Sequence, residues 1–125
     1  MKESILKEKS YAFTLRIITL TGWLREKRHY ELAAQVLRAG TGIGANVEEA
    51  LAGFSRADFI AKMSIASKEA REIHYWLRLL RDSGIVTPEK IGPLVDDCLE
   101  QVRILTAIVK TGQSKYPNSK LKTKN

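Results

Sequence analysis

"GTGIGANVEEA", residues 40–50, decides the fold. Glycine recurs at every second position, and Asn46 and the pair Glu48-Glu49 follow. Such a stretch is either a loop that cradles phosphate or a helix that has to be thin. A Walker loop needs a lysine and then Ser or Thr after its last glycine. Here Ala45 and Asn46 follow Gly44. The dinucleotide fingerprint needs G-x-G-x-x-G after a strand. Gly40, Gly42 and Gly44 have the wrong spacing, and a helical pattern precedes them. The thin helix is the better reading. Three glycines inside a helix cost about 3 kcal/mol relative to alanine, and close approach of a neighbouring helix is the usual offset.

The sequence on either side is also helical. The stretch belongs to a segment from about Glu31 to Ala52, with Leu32, Val36, Gly40, Ile43, Val47 and Leu51 on one stripe and Gly53 as its stop. An earlier segment, about Glu3 to Lys27, places Leu6, Phe13, Ile17, Leu20 and Leu24 on one face before "RHY" interrupts it. Ser55, with Asp58 three residues on, opens a third that runs to Asp82. Its stripe is Phe59, Met63, Ala66, Ala70, Ile73, Leu77 and Leu80, and Gly84 is its cap. Thr87-Pro88-Glu89 starts a fourth, striped by Ile91, Val95, Cys98, Val102, Leu105 and Val109. Pro93 implies a kink there or a later start, and Gly112 reads as the stop. The expected fold is all-α: an antiparallel up-and-down four-helix bundle over residues 1–112, assembling as a homo-oligomer, with a flexible basic tail over 113–125.

The wheel of the glycine helix has two sides. Gly40 and Gly44 lie on or beside the apolar stripe. Ala34, Thr41, Gly42 and Ala45 lie on the other, with Glu31, Arg38 and Glu49. One side packs within the bundle. The other is expected to pack against a second subunit, with Arg38, Asn46 and Glu49 supplying polar contacts; the plainer alternative is a solvated face that happens to be small.

"LRAGTGIGANVEEA" (37–50) followed by "FIAKMSIASKEAREIHYWLRLLRDSG" (59–84) resembles the four-helix-bundle proteins encoded in intervening sequences of bacterial 23S ribosomal RNA genes. The resemblance runs from about residue 8 to about residue 111. A distant branch of that family is the accessory variability protein of diversity-generating retroelements, a basic pentamer that binds a reverse transcriptase and nucleic acid. The resemblance implies a homopentamer here. Gly42 stands where relatives often have serine, Gly44-Ala45 where the retroelement branch tends to have proline and serine, and Glu48-Glu49-Ala50 where it has Ala-Glu-Gly. Those departures place the chain nearer the ribosomal-intervening branch, which has no settled activity, and weigh against a reverse-transcriptase partner.

Charge suggests the class of partner. The chain has 125 residues, 21 Lys and Arg, 14 Asp and Glu, and a net charge of +7, a balance that attracts polyanions. Residues 1–30 hold seven basic and three acidic side chains, and the segment from Gly112 onward holds four lysines and no acid. Lys9, Arg16, Trp23 and Lys27 share a face of the first helix; Arg71, Arg78 and Arg81 share one of the third. These are the candidate contacts to RNA or DNA phosphates. The alternative is that they are ordinary solvated helix faces, and the chain a protein-interaction scaffold whose charge only aids solubility.

Chemistry is less evident. Glu69 and Glu72 lie beside a second apolar stripe of Ile65, Trp76 and Leu79. A di-iron bundle needs two Glu-x-x-His pairs, and only Glu26-x-x-His29 matches. The expected role is a structural ion pair, with Glu69 or Glu72 meeting Arg38 or Asn46, and neither metal nor cofactor is expected. No nucleophile motif stands near His29 or His74, so the expectation is a protein without enzymatic activity. Lone Cys98, the lack of a signal-peptide core and the lack of an apolar run of ~20 residues predict a soluble, cytoplasmic protein with no membrane partner.

Overall fold

The structure is a computed structural model that describes residues 2–115. It contains α1 (Lys2–Glu26), α2 (Tyr30–Leu51), α3 (Arg56–Asp82) and α4 (Pro88–Lys115), and no strand among the described residues. Side-chain contacts give the topology. Gly40 and Gly44 of α2 face Ile17 and Thr14 of α1, Glu49 and Arg38 face Lys62 and Glu72 of α3, and Gly112 of α4 faces Ile60. Lys9 and Arg16 of α1 meet Glu100 and Asp97 of α4. Each pairing runs in opposite senses, so the bundle is antiparallel, up and down. The α1–α4 seam, whose helices are the most distant in sequence, is the least closely packed.

The third helix follows its sequence pattern throughout: all seven expected core residues are buried, and Ile60 joins them. Ser55 caps it, its Oγ accepting from the Asp58 N–H at 3.0 Å. Other stripes are rotated. In α2 the buried set is Ala33, Val36, Ala39, Gly40, Ile43, Val47 and Ala50. Leu51, expected in the core, is exposed, and Leu32 is only half-buried. The reason is that α2 is clasped by α1 and α3 together, and close approach on both flanks selects alanine and glycine over leucine.

The glycines answer the opening question. A Cβ on Gly40 would stand 2.7 Å from Ile17 Cγ2, and one on Gly44 would stand 3.4 Å from Thr14 Oγ1. These two form a flat track for α1. Gly42, expected to point away from its own bundle, instead lies under Glu69 of α3, 3.0 Å from where its Cβ would be. Alternate positions on a helix lie nearly opposite each other, so the three glycines serve two different neighbours.

Two further readings change. Gly112 does not stop α4, which continues to Lys115. Gly112 is buried against Ile60, whose Cγ1 would be 2.8 Å from an added Cβ. Pro93 lies inside a helix that starts at Pro88, so of the two expected outcomes, a kink or a later start, the later start does not occur. The basic tail was expected from residue 113; residues 113–115 belong to α4, and the rest lies outside the described residues. Between α1 and α2, Arg28 takes a positive φ of 69°, which lets the His29 N–H reach the Leu24 carbonyl at 2.9 Å.

Candidate nucleic-acid interface

The antiparallel topology collects the C-terminal ends of α1 and α3 and the N-terminal ends of α2 and α4 at one end of the bundle. Arg25, Lys27, Arg28, Arg78, Arg81 and Lys90 all stand there, with Glu26, Glu31, Asp82 and Glu89, and Asp96 is within electrostatic reach of Arg81. Arg81 is held by Asp82, Nε to Oδ1 at 2.8 Å, which keeps the Asp82 carboxyl below its usual range. The other five cations form no ion pair among the described residues. Aromatic rings lie among them. Lys27 and Lys90 approach the Trp23 ring at 5.7 and 5.9 Å, and Arg78 approaches Tyr75 at 6.0 Å. His74 registers the local field: burial, then Arg78 and Arg81, lower its pKa below the ordinary 6.5.

The six candidate phosphate contacts therefore divide. Lys27, Arg78 and Arg81 share this end. Lys9 and Arg16 lie further along α1, where Glu100 and Asp97 of α4 take them at 3.1 and 3.6 Å. Their charge is largely offset by their own chain. Burial raises the Asp97 carboxyl despite those two cations. Arg71 is separate again, its Nη2 donating to Thr106 Oγ1 of α4 at 2.8 Å. Sequence periodicity placed these residues on faces of single helices. It could not show which carboxylates the facing helix would bring.

The α2–α3 seam gathers most of the other candidates. Arg38 pairs with Glu72 and reaches Glu69 at 3.6 Å. Trp76 Nε1 also donates to Glu72, at 3.1 Å. Glu49 pairs with Lys62 at 3.0 Å. Asn46, expected as a partner of the glutamates, donates instead to the Gly42 carbonyl of its own helix at 2.8 Å. So Arg38, Glu49, Glu69 and Glu72 tie two helices of one chain together, and Gly42 lies beneath that tie. Of the small set, Ala34 and Ala45 remain exposed without such a contact.

One surface escaped the sequence reading. Tyr11, Leu15 and Ile18 of α1 are 51–65% exposed and share a helical face, with bare Gly22 continuing it. Their spacing was legible, but the core stripe beside them dominated the pattern.

Cys98 is buried, its Sγ 3.4 Å from the Ala70 carbonyl, and burial pushes its pKa up to about 12. No group of three or more His, Cys, Asp or Glu among the described residues could hold a metal ion. No helix among them is long and apolar enough to cross a membrane.

Comparison with known proteins agrees with the fold. A solved structure of a protein with unknown function, from the S23 ribosomal protein family of Bacteroides thetaiotaomicron, is 42% identical. The match covers 88% of this chain and 99% of that one, with a TM-score of 0.83. No curated protein matches. The family described as 23S rRNA-intervening sequence protein matches residues 2–107. That span includes the glycine track, the Arg38–Glu72 tie and the α1–α4 ion pairs, and the chain belongs to the 23S rRNA-intervening sequence protein family.

Proposed function

We propose that this protein is a non-enzymatic, homopentameric bundle that binds RNA or another nucleic acid through basic surface pooled at one end of the assembly. The observation that carries this is the set of five cations without ion pairs among the described residues, Arg25, Lys27, Arg28, Arg78 and Lys90, interleaved with Trp23 and Tyr75. Cations outside ion pairs release condensed ions when they meet phosphate, and aromatic rings stack on unpaired bases. Six basic against five acidic side chains, Asp96 included, is a modest excess for one subunit, and assembly multiplies it. The exposed α1 stripe, rather than the small side of α2, is the surface for self-association: contiguous apolar area of this kind marks a contact. The number five comes from the family resemblance alone. A reverse transcriptase is not proposed as a partner.

The test is RNA binding as a function of salt. Lys27→Gln with Arg78→Gln should weaken binding and reduce the salt slope by about two. Lys9→Gln with Arg16→Gln should change both much less. Absence of RNA binding at low salt would leave the protein as an interaction scaffold. Leu15→Lys should break the assembly in sedimentation, and an unchanged mass would move the subunit contact elsewhere.

A further inference from the structure

The α1–α4 seam opens beside the basic end into a groove of about 360 Å³, within the range of small-molecule sites. Leu20, Trp23, Ile91 and Leu94 give it an apolar lining, and its only charged lining residues are Arg16 and Lys90. Arg16 is drawn aside by Asp97 at 3.6 Å. Lys90 has no carboxylate partner among the described residues, and its ammonium rests 5.9 Å from the centre of the Trp23 ring. Lys27 stands 5.7 Å from the same ring. Lys90 thus brings its ammonium to the groove itself, while Lys27, outside the lining, approaches the same indole. A ring face is a weaker counter-charge than a carboxylate, so both remain receptive to an anion.

We propose that this groove binds a small amphipathic monoanion, with its apolar body on Leu20, Trp23, Ile91 and Leu94 and its carboxylate on Lys90, the Lys27 ammonium at the same indole adding to the attraction. Charge complementarity selects the class. A cation is repelled, and a neutral apolar molecule leaves the ammonium groups uncompensated. A nucleobase fits less well. Its amide edge would press on leucine and isoleucine, and the one hydroxyl in the lining, that of Thr19, already donates to the Leu15 carbonyl at 3.4 Å. An acyl chain and an aromatic ring are both acceptable bodies. The inference does not rest on nucleic-acid binding, although Trp23, Lys27 and Lys90 serve in both.

The experiment uses the full chain carrying Trp76→Phe, which leaves Trp23 as its one tryptophan. Decanoate and decanol, then 2-naphthoate and 2-naphthol, are titrated by calorimetry, with Trp23 emission followed for the aliphatic pair. The expected result is one site per chain, a change in Trp23 emission, and a carboxylate that binds at least tenfold tighter than its alcohol. Lys27→Gln with Lys90→Gln should erase that preference and spare alcohol binding. Leu20→Trp should fill the groove and abolish both. Whichever carboxylate binds tighter identifies the body. The inference is overturned if neither carboxylate binds, if acid and alcohol bind equally, or if the double glutamine variant keeps the preference. Should Leu20→Trp fail to fold, the lysine pair, on exposed positions, still decides. RNA affinity is measured alongside: RNA binding without carboxylate binding overturns the groove and leaves the nucleic-acid reading intact.

Discussion

Gly40→Ala, set against Gly22→Ala, isolates the pressure of α1 on α2. Both substitutions add one methyl group inside a helix, and both gain about 1 kcal/mol in helix propensity. They differ in what the methyl meets. At Gly22 nothing lies within 4 Å. At Gly40 the new Cβ would stand 2.7 Å from Ile17 Cγ2 and 3.0 Å from Cγ1. Ile17 is fully buried beneath it, so relief requires a rotamer change or a shift of the helix. Overpacking of this kind costs about 1–3 kcal/mol. Gly22→Ala should therefore stabilise by up to ~1 kcal/mol, and Gly40→Ala should leave stability unchanged or lower it by up to ~2 kcal/mol. The separation between the two is the overpacking term itself. With a urea dependence of about 1–3 kcal/mol per molar for small proteins, it corresponds to a midpoint difference on the order of 1 M. Urea unfolding followed by circular dichroism, at one protein concentration because assembly adds to stability, measures it. Ile17→Ala, costly alone, should become less costly in the Gly40→Ala background, since it removes both clashing methyl-bearing atoms. Equal midpoints for Gly22→Ala and Gly40→Ala would refute the close approach of α1.

Three other perturbations follow from the same structure. Arg28→Gly should raise the melting temperature, because a left-handed φ costs an L-residue about 1 kcal/mol that glycine avoids; a lower melting temperature would mean the Arg28 side chain contributes more than its backbone costs. His74, whose pKa is lowered by burial and by Arg78 and Arg81, holds fewer protons folded than unfolded, so its contribution is present above the ordinary 6.5 and is lost as pH falls below it. His74→Gln should flatten the pH dependence of stability in that window, and an unchanged profile would count against it. Cys98, with its thiol pushed up to about 12, should resist a thiol reagent in the native protein and react at the rate of unfolding; rapid native labelling would contradict its burial.

The Arg38 tie carries less energy than its short contacts suggest. Arg38 is about half exposed, and Glu72 about a third. Ion pairs in such settings contribute about 0–1 kcal/mol. Glu69 reaches Arg38 at 3.6 Å, beyond hydrogen-bond distance, and its Oε1 has no hydrogen-bond partner. The seam is held mainly by its apolar residues, and the charges set the register of α2 against α3. Gln101 poses the opposite problem: its side-chain amide is fully buried and, beside the Asp97 carboxyl, makes no hydrogen bond of good geometry among the described residues.

Four helices, their order and most of their core were legible in the sequence, because each helix buries one stripe and the 3.6-residue period marks it locally. Phe59, Met63, Ala66, Ala70, Ile73, Leu77 and Leu80 illustrate this: period alone identified them, and all are buried. The thinness of the second helix was legible too, since glycine inside a helix calls for a close neighbour. Which neighbour was not. Gly42 faces Glu69, and Gly112 faces Ile60 rather than ending its helix. Lys9 and Arg16 lose their free charge to Glu100 and Asp97, while Lys27 and Lys90 meet at Trp23. Each of these pairs joins residues from different helices, and a helix's own period says only which way a side chain points. What it points at depends on the rotation and offset of the facing helix, which many weak contacts set together and only the packed bundle reveals.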